Sequence, residues 1–264
     1  MEDHLFYFFT EKTEYIGPMQ FEKPLIRGVF LKRYKRFFAD VRLDTELADS
    51  AGDTVVAHVA NTGSMKSCVY PDSPCLLSKN DDPARKLKFT LQAVLAPSGH
   101  WVGINTSLPN KLVLEAYQNG LIQDWLEFDI VKPEFKLSAE TRLDFLFTNS
   151  KTGLKKFVEV KNVTMAEGDI SNKKGRALFP DSETTRGQKH LQTLTDLVKQ
   201  GHQAEIVFTV QRSDCDHFSI AKDIDAEYAD LFLKARTAGV KVRVLLVDID
   251  HTQIKIIGKE INIV

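Results

Sequence analysis

Three charged residues in the middle of the chain have the types and spacing that could support phosphodiester chemistry. Asp144 lies early in the apolar segment 142–147, and Glu159 and Lys161 lie two residues apart in the segment 156–163. Both segments have the aromatic and aliphatic content of strands. Residues two apart leave the same face of a strand, so Glu159 and Lys161 are predicted to project together. An aspartate on one strand, beside a glutamate and a lysine on the next, could hold a hard divalent cation next to a phosphate group.

The predicted cofactor of this cluster is Mg²⁺ or Mn²⁺, held by Asp144 and Glu159. Magnesium prefers oxygen ligands and keeps several waters, so two carboxylates, with the carbonyl of Val160 as a further candidate, leave room for water and a phosphate oxygen. Coordination lowers the pKa of water and reduces the negative charge at phosphorus. A lysine beside two carboxylates keeps its proton, so Lys161 is predicted to stabilise developing charge rather than to act as a base.

The same pattern has an ordinary structural interpretation. A glutamate and a lysine two residues apart also occur on half-exposed strands, where they form a surface ion pair. The flanking Phe157, Val158 and Val160 favour an interior strand instead, and charges on an interior strand need a partner or an ion. Both interpretations stay open at the level of sequence.

Composition limits the class of protein. The chain has 264 residues, 43% hydrophobic and 27% charged, as is usual for one large or two smaller globular domains. The formal net charge is −1, so a nucleic-acid partner would need a local basic patch. The three cysteines form no paired framework and no zinc spacing, which favours a reducing cytoplasm. No apolar run is long enough to span a membrane, and the N-terminus lacks the basic region of a signal peptide.

The N-terminal half carries the signals of short strands. Apolar segments are separated by Asp, Ser, Gly and Pro, and they cover 25–34, 36–43, 54–59, 75–78, 87–95 and 101–105. Many short strands at close spacing predict a small barrel, and a five-stranded oligonucleotide-binding (OB) barrel fits this length. We therefore predict an N-terminal extension over 1–22, an OB-like barrel over 23–106 and a second domain over 107–264.

Two segments of the predicted barrel are candidates for contact with nucleic acid. The segment 32–38 interleaves four cations with three aromatic residues, and cations track phosphates while aromatic rings stack on bases. The loop 58–66 could present backbone N–H groups and one lysine to a phosphate. The alternatives are a turning strand pair with solvated charges and buried Phe37 and Phe38, and a purely structural turn. The candidate binding residues are Lys32, Arg33, Lys35, Arg36, Asn61 and Lys66.

The C-terminal half alternates helix and strand signals. Helical spacing predicts helices over 110–120, with Asn110 as its N-cap, over 184–199 and over 225–238. Near-continuous apolar runs predict strands buried on both faces, over 204–211 and 240–247. Together with the two central strands, this order predicts an α/β sandwich.

Further site candidates flank the central strands. Glu115 lies near the inward face of its helix and could assist catalysis at the metal, although an exposed helix carboxylate is an equal alternative. Arg186 and Gln188, in the first turns of the second helix, could hold phosphate oxygens. His190 is interpreted as a surface histidine. The segment 166–180 is predicted to be a flexible loop, either closing over a phosphate backbone or forming a disordered excursion.

The order of helix, three strands, helix and strand is that of the PD-(D/E)xK nuclease superfamily. Asp144, Glu159 and Lys161 fall at that motif's places, although Arg142 and Leu143 precede the aspartate where the motif has a proline. Over residues 25–248 the chain resembles the sugar fermentation stimulation protein family. The segments that carry this resemblance are 60–65 (ANTGSM), 142–145 (RLDF), 158–164 (VEVKNVT), 179–181 (FPD) and 185–191 (TRGQKHL).

The resemblance implies a two-domain α+β protein, with an N-terminal OB-like β-barrel and a C-terminal α/β restriction-endonuclease-like sandwich. It also implies a bacterial or archaeal cytoplasmic protein that binds DNA non-specifically and regulates sugar (maltose) metabolism. RNA is a further possible partner. No helix-turn-helix is evident, so sequence-specific readout is not expected.

Two functions therefore remain open. The first is a nuclease dependent on Mg²⁺ or Mn²⁺, and the second is a catalytically silent DNA-binding regulator that uses the nuclease fold only for binding. The intact acid–acid–lysine set favours the first, because carboxylates facing phosphates repel DNA unless a cation lies between them. The DNA-binding activity implied by the resemblance favours the second.

Overall fold

The computed structural model describes residues 7–8, 17–44 and 52–264, and this part of the chain forms three β-sheets and three α-helices. The strands are β1 (Tyr7–Phe8), β2 (Met19–Gln20), β3 (Ile26–Tyr34), β4 (Phe38–Leu43), β5 (Thr54–His58), β6 (Pro74–Lys79), β7 (Phe89–Leu95), β8 (Trp101–Gly103), β9 (Ile130–Lys136), β10 (Arg142–Thr148), β11 (Lys155–Val163), β12 (Met165–Asp169), β13 (Lys174–Phe179), β14 (Gln203–Val210), β15 (Cys215–Ile220), β16 (Lys241–Ile249), β17 (Gln253–Glu260) and β18 (Asn262–Ile263). The helices are α1 (Pro109–Gln118), α2 (Thr185–Lys199) and α3 (Ala226–Ala238).

The N-terminal domain is a closed five-stranded barrel, which confirms the predicted OB-like architecture. Its strands run in the order β5-β4-β3-β6-β7, and β5 also pairs with β7, where Ala57 aligns with Phe89. This last pairing closes the sheet, so the barrel strands leave no free edge. Val41, Leu77 and Leu91 are fully buried inside the barrel, which is the alternation that a half-buried strand requires.

The C-terminal domain is built on an eight-stranded sheet of order β1-β9-β10-β11-β14-β16-β17-β2. Its central strands β11, β14 and β16 are parallel, and the crossovers between them contain α2 and α3. Alternate residues of β10 and β11 enter opposite layers. Phe145 and Val158 pack with the α1 side, while their chain neighbours Leu146 and Phe157 pack with the α2 and α3 side. The predicted α/β sandwich is therefore confirmed.

The segment 166–180 is not the flexible loop that its composition predicted. β12 and β13 form an antiparallel hairpin, and β13 continues into a four-stranded sheet with β15 and β18. The glycines and charges that suggest a loop belong to an exposed hairpin, in which Arg176 pairs with Glu167 across the strands. The prediction was wrong because the exposed residues of a hairpin at the edge of a sheet need not be apolar.

Helix α1 begins one residue earlier than predicted, and Asn110 is not its N-cap. Leu108 occupies the cap position and Pro109 is in the first turn. Proline favours this position because its φ angle is already helical and its missing N–H would have no partner there. The side chain of Asn110 is thereby released for a contact with the sheet.

The two domains are joined by a buried ion pair. The guanidinium of Arg212 donates two hydrogen bonds to Asp214, with N···O distances of 2.6 and 2.7 Å, and both side chains are fully buried. The carboxylate of Asp214 also accepts a 2.6 Å hydrogen bond from Ser98 of the barrel. A backbone hydrogen bond also connects the two domains, because the N–H of Gly103 donates to the carbonyl of Gln211 at 2.8 Å.

The described residues of the predicted N-terminal extension lie on the eight-stranded sheet. β1 pairs with β9 at one edge of that sheet, and β2 pairs with β17 at the other. The other residues of 1–16, and residues 45–51, lie outside the described part of the chain. Among the described residues, no helix is both long and apolar enough to cross a membrane.

Candidate active site

The side chain of Asp144, on β10, contacts both the neighbouring strand β11 and helix α1. Its Oδ2 accepts a 2.7 Å hydrogen bond from the backbone N–H of Val160 on β11, and its Oδ1 accepts one of 2.7 Å from the side chain of Asn110. These two donors hold the carboxylate between β10, β11 and the first turn of α1. A carboxylate fixed by neutral donors keeps its charge available for a further partner.

Glu159 and Lys161 project together from β11 toward helix α2, as the two-residue spacing predicted. Lys161 Nζ lies 2.6 Å from Glu159 Oε1, and the side chains are 12% and 4% exposed. His190 of α2 completes the group, since its Nδ1 contacts the same Oε1 and lies 3.1 Å from Lys161 Nζ. An ionised carboxylate only accepts, so the contact with Glu159 places a proton on Nδ1 of His190, and Nδ1 then does not accept from the ammonium group of Lys161.

The two carboxylates of the cluster have opposite electrostatic environments. Burial, reinforced by the negative charge of Glu159, raises the pKa of Asp144 to about 6. Burial also disfavours the charged form of Glu159, but the hydrogen bond from His190 and the charge of Lys161 outweigh it and lower the pKa of Glu159. The pair therefore contains one firmly ionised carboxylate and one whose ionisation is costly unless a further cation is present.

The donor set suits a divalent cation that prefers oxygen ligands. Glu159 Oε2 is buried and has no hydrogen-bond partner among the described residues. A buried carboxylate oxygen that lacks a partner has lost its hydration without compensation. A bound cation would compensate for that loss. The described part of the chain holds no group of three or more His, Cys, Asp and Glu side chains placed to bind a metal. Two carboxylates are nevertheless enough for Mg²⁺, which keeps several waters.

Glu115 is not brought to this cluster. It lies five residues after Asn110 on α1, which rotates it by about 140° from the side chain that contacts Asp144. Its carboxylate instead lies near the backbone of Met19, on strand β2 at the far edge of the sheet. Burial raises the pKa of Glu115 to about 7, and the hydrogen bond from Met19 opposes this shift.

This placement predicts a pH-dependent effect of Glu115→Gln on stability. The pKa of about 7 lies above the ordinary value of 4.5, so the folded protein binds more protons than the unfolded chain between these values. The wild type should therefore lose stability as the pH rises through this window, and the glutamine variant should not. Melting temperatures measured at pH 4.5 and pH 8 should be similar at the lower pH and higher for the variant at pH 8. The exposed Glu140→Gln is the matched control, and an equal response of both variants would contradict the prediction.

The cations of the basic segment 32–38 are of two kinds. Two of them contact other residues of the barrel, and the other two are exposed at a turn. Arg33 donates to the carbonyls of Asn61 and Gly63 at 2.7 and 3.0 Å, so it braces the neighbouring loop. Lys32 pairs with Asp40 at 3.3 Å. Two further cations, Lys35 and Arg36, are exposed and form the β3–β4 turn.

The aromatic side chain that follows this turn does not pack inside the barrel. Phe37 is 46% exposed, in contrast to the alternative in which it is buried. The exposed end of the segment thus keeps a cation and an aromatic ring on the surface, as a nucleic-acid contact requires.

The loop after β5 is held by hydrogen bonds within the protein, so it is not an open phosphate-binding loop. The side chain of Asn61 is buried and accepts the N–H of Gly63, and the N–H of Ser64 donates to Asp181 of the C-terminal domain at 2.8 Å. Two of the amide groups expected to face a phosphate are therefore already bonded. Lys66 remains exposed at the end of the loop.

The two predicted phosphate-binding residues of α2 have different surroundings in the structure. Gln188 donates to both carboxylate oxygens of Asp225, at 2.9 and 3.2 Å, and Asp225 caps helix α3. This side chain therefore ties α2 to α3. Arg186 is exposed on the first turn of α2 and stays a candidate for phosphate contact.

Two residues of the cluster were not recognised from sequence. His190 is only 5% exposed and contacts Glu159, whereas a surface histidine was expected. Its position four residues before the buried Leu194, on the same face of α2, is the signal that could have placed it near the core. Asn110 was interpreted as a cap, and its contact with Asp144, 34 positions away, carries no local signal.

Comparisons with known proteins agree with this architecture. The family model described as the sugar fermentation stimulation protein RE domain matches residues 107–253, and the model described as the SfsA N-terminal OB domain matches residues 31–104. A sugar fermentation stimulation protein homolog from Bdellovibrio bacteriovorus is 46% identical over 247 residues, covering 90% of this chain and 96% of the relative. A homolog from Geotalea uraniireducens is 43% identical and covers 91% of this chain and 98% of the relative.

A solved structure is also similar over nearly the whole chain. It is described as the structure of Pyrococcus furiosus SfsA in complex with Ca²⁺, with a TM-score of 0.79 and 28% sequence identity. The alignment covers 93% of this chain and 98% of that one. With two matching family models and relatives well above 40% identity over most of their length, this chain belongs to the sugar fermentation stimulation protein family.

Proposed function

We propose that this chain binds DNA without sequence specificity and hydrolyses phosphodiester bonds at the Asp144–Glu159–Lys161 cluster with the help of Mg²⁺ or Mn²⁺. The observation that carries the proposal is the buried Oε2 of Glu159, which has no hydrogen-bond partner among the described residues and lies near the half-buried carboxylate of Asp144. A protein that only contacts phosphates gains nothing from two carboxylates at that place. The relative from Pyrococcus furiosus, whose structure is described as a complex with Ca²⁺, supports a divalent cation in this family.

Asp144 and Glu159 would hold the cation through the oxygens that face it. The chemistry that a bound divalent cation supplies is Lewis acidity toward the phosphodiester. Lys161, held by Glu159 Oε1 at 2.6 Å, places a positive charge where negative charge develops on phosphorus. His190 keeps Glu159 oriented by its hydrogen bond from the side of α2, and Asn110 does the same for Asp144 from the side of α1.

Several side chains would hold the nucleic acid outside the cluster. The exposed cations Lys35, Arg36 and Lys66 of the barrel and Arg186 of α2 are available to phosphates. All three cysteines are buried and unpaired, which fits a reducing cytoplasm as the place of action. RNA is a second possible substrate, because phosphate contacts do not distinguish the two polymers.

The proposal predicts metal-dependent cleavage that requires Lys161. Wild type, Lys161→Ala and the control Lys199→Ala are incubated with labelled DNA and RNA in Mg²⁺, Mn²⁺ or EDTA, and products are resolved on a denaturing gel. Wild type and the control should cleave in the presence of the metal, since Lys199 is an exposed helix residue paired with Asp196. Lys161→Ala should lose at least about a hundredfold in rate, the usual effect of removing one charge-stabilising group. Equal background in all three proteins would refute the catalytic proposal.

The second candidate is a DNA-binding regulator of sugar (maltose) metabolism in which the cation bridges the carboxylates and the DNA without hydrolysis. The names of the relatives, which refer to stimulation of sugar fermentation, favour it. In the same experiment this candidate predicts metal-dependent binding, measured by anisotropy, with no cleavage by any variant.

A further inference from the structure

A polar cleft of about 340 Å³ lies between the two domains, at the end of the strand that carries Glu159 and Lys161. One wall is the barrel loop 61–63, the second is the end of β11 at 162–165, and the third is the turn after β13 at 178–184. Asn162, the residue after Lys161, faces this space. In open α/β sheets ligands bind beyond the carboxyl ends of the parallel strands, and β11 is one of those strands here.

The cleft is close to the catalytic cluster along the same strand. Asn162 and Glu159 are three residues apart, which corresponds to roughly 10 Å of strand, and their side chains leave opposite faces of β11. A nucleic-acid strand whose phosphate lies at Glu159 and Lys161 would therefore pass the carboxyl end of β11, where residues 162–165 line the cleft, to place an adjacent nucleotide there. Arg36, exposed on the β3–β4 turn, lies at the rim of the cleft and offers a cation to the connecting backbone.

The chemistry inside the cleft favours a base rather than a phosphate. Its two charged lining residues are Arg36 at the rim and Asp181, and the carboxylate of Asp181 already accepts two hydrogen bonds from Ser64, at 2.8 and 3.1 Å. Most of the other polar groups are uncharged, from asparagine and threonine. An anion placed inside would meet few positive groups, whereas a nucleobase edge would meet neutral hydrogen-bonding partners.

One polar atom of the cleft requires a partner from outside the chain. Asn162 Oδ1 is buried and has no hydrogen-bond partner among the described residues. A buried amide oxygen without a donor is unfavourable, and an exocyclic amino group or ring N–H of a base would satisfy it. Phe179 lines the same cleft, and its ring packs against the core residues Phe208 and Tyr228 at centroid distances of 5.4 and 5.3 Å, which holds this wall in place.

We propose that this cleft receives one unpaired nucleobase of the strand whose neighbouring phosphate is held at the Asp144–Glu159–Lys161 cluster, so that the substrate is single-stranded or carries an unpaired nucleotide. The inference rests on the proposed function and names its substrate class. The volume lies at the lower end of ligand pockets, which span about 300–1,000 Å³, and admits one nucleoside but no stacked base pair. A base in an intact duplex would have to be unstacked and unpaired to enter, whereas a single strand avoids most of that cost.

The test compares a fluorescein-labelled single strand with a blunt duplex of the same sequence, both titrated with full-length protein in Ca²⁺ buffer and read by anisotropy. Wild type should bind the single strand at least about tenfold more tightly, as one added stacking or hydrogen-bonding contact provides. Asn162→Ala should weaken single-strand binding by about fivefold and leave duplex binding unchanged. The variant should fold, since the oxygen that it removes has no hydrogen-bond partner among the described residues.

A second variant blocks the cleft from its mouth. Thr62 is exposed on the barrel loop, so Thr62→Trp places a ring at the entrance and should abolish the preference for the single strand. Thr54→Trp, at an exposed position of β5 outside the cleft, should keep it. Equal affinity of wild type for both DNAs, or equal losses on both in Asn162→Ala, would overturn the assignment. Displacement of the strand by a stoichiometric mixture of the four nucleoside monophosphates would also overturn it, because the cleft would then take free nucleotides.

The outcome separates this inference from the catalytic proposal. If Lys161→Ala and wild type show the same background cleavage while Asn162→Ala removes the single-strand preference, the catalytic proposal fails and the cleft assignment stands. If wild type cleaves single-stranded and duplex DNA alike and Asn162→Ala changes neither rate, catalysis stands and the cleft assignment fails.

Discussion

Asp144→Asn is expected to lose at least about a hundredfold in metal-dependent cleavage and, at the same time, to stabilise the cation-free protein. The carboxylate is half-buried beside Glu159, and its desolvation together with the negative charge of Glu159 raises its pKa to about 6. Its charged form is therefore costly in the folded state, and the stability of the wild type should fall as the pH rises from about 4 to about 6. Above that window the neutral amide should be more stable by an amount on the order of 2 kcal/mol.

The side-chain amide of Asp144→Asn can be accommodated in the place of the carboxylate. Its oxygen can accept the N–H of Val160, and the side-chain amide of Asn110 can turn to present its oxygen to the new NH₂ group. Melting curves at pH 8 with and without Mn²⁺ measure the effect. Wild type should gain stability from the metal and Asp144→Asn should not, while the exposed Asp196→Asn should behave as wild type. A variant that melts lower than wild type without metal, or that still responds to it, would contradict the account of this site.

Asp214→Ala is expected to lower the free energy of unfolding by about 3–5 kcal/mol. The substitution leaves the guanidinium of Arg212, which is fully buried, without the carboxylate that accepts two of its hydrogen bonds. It also removes the acceptor of Ser98, so the barrel loses a link to the C-terminal domain. Chemical denaturation and thermal melting measure the effect, with a fall of about 10 °C expected in the melting temperature.

The matched control is Asp196→Ala, whose partner Lys199 is exposed on α2. Exposed ion pairs contribute between about 0 and 1 kcal/mol, so this variant should remain close to the wild type. A loss below 1 kcal/mol in Asp214→Ala would show that the domains are held by other contacts. Because Arg212 also donates to the carbonyl of Thr164 at 3.1 Å, the variant should loosen one wall of the interdomain cleft and weaken single-strand binding.

The core of the fold and the centre of the site were predictable from sequence because both are encoded locally. The alternation of apolar residues gave the barrel strands nearly to their ends. The two-residue spacing of Glu159 and Lys161 placed both side chains on one face of β11, where the structure finds them. Strand pairing then brought Asp144 to the same place, since its carboxylate accepts the backbone N–H of Val160.

The parts that could not be predicted depend on contacts between distant segments. The composition of the hairpin β12–β13 is that of a loop, and only its pairing with β15 reveals a sheet. Arg33 is a typical phosphate ligand by type, yet it is used to brace the loop at Asn61. His190 was expected at the surface because its helix is polar in that turn, and its contact with Glu159 comes from the packing of α2 on β11.

The most direct test of the central claim is an anomalous diffraction measurement on crystals soaked with Mn²⁺. The account predicts a strong anomalous peak between the carboxylates of Asp144 and Glu159, within coordination distance of Glu159 Oε2, and no peak there in Asp144→Asn. Crystals that bind manganese elsewhere, or nowhere, with an oligonucleotide present would contradict the claim that these two carboxylates are held together for a divalent cation.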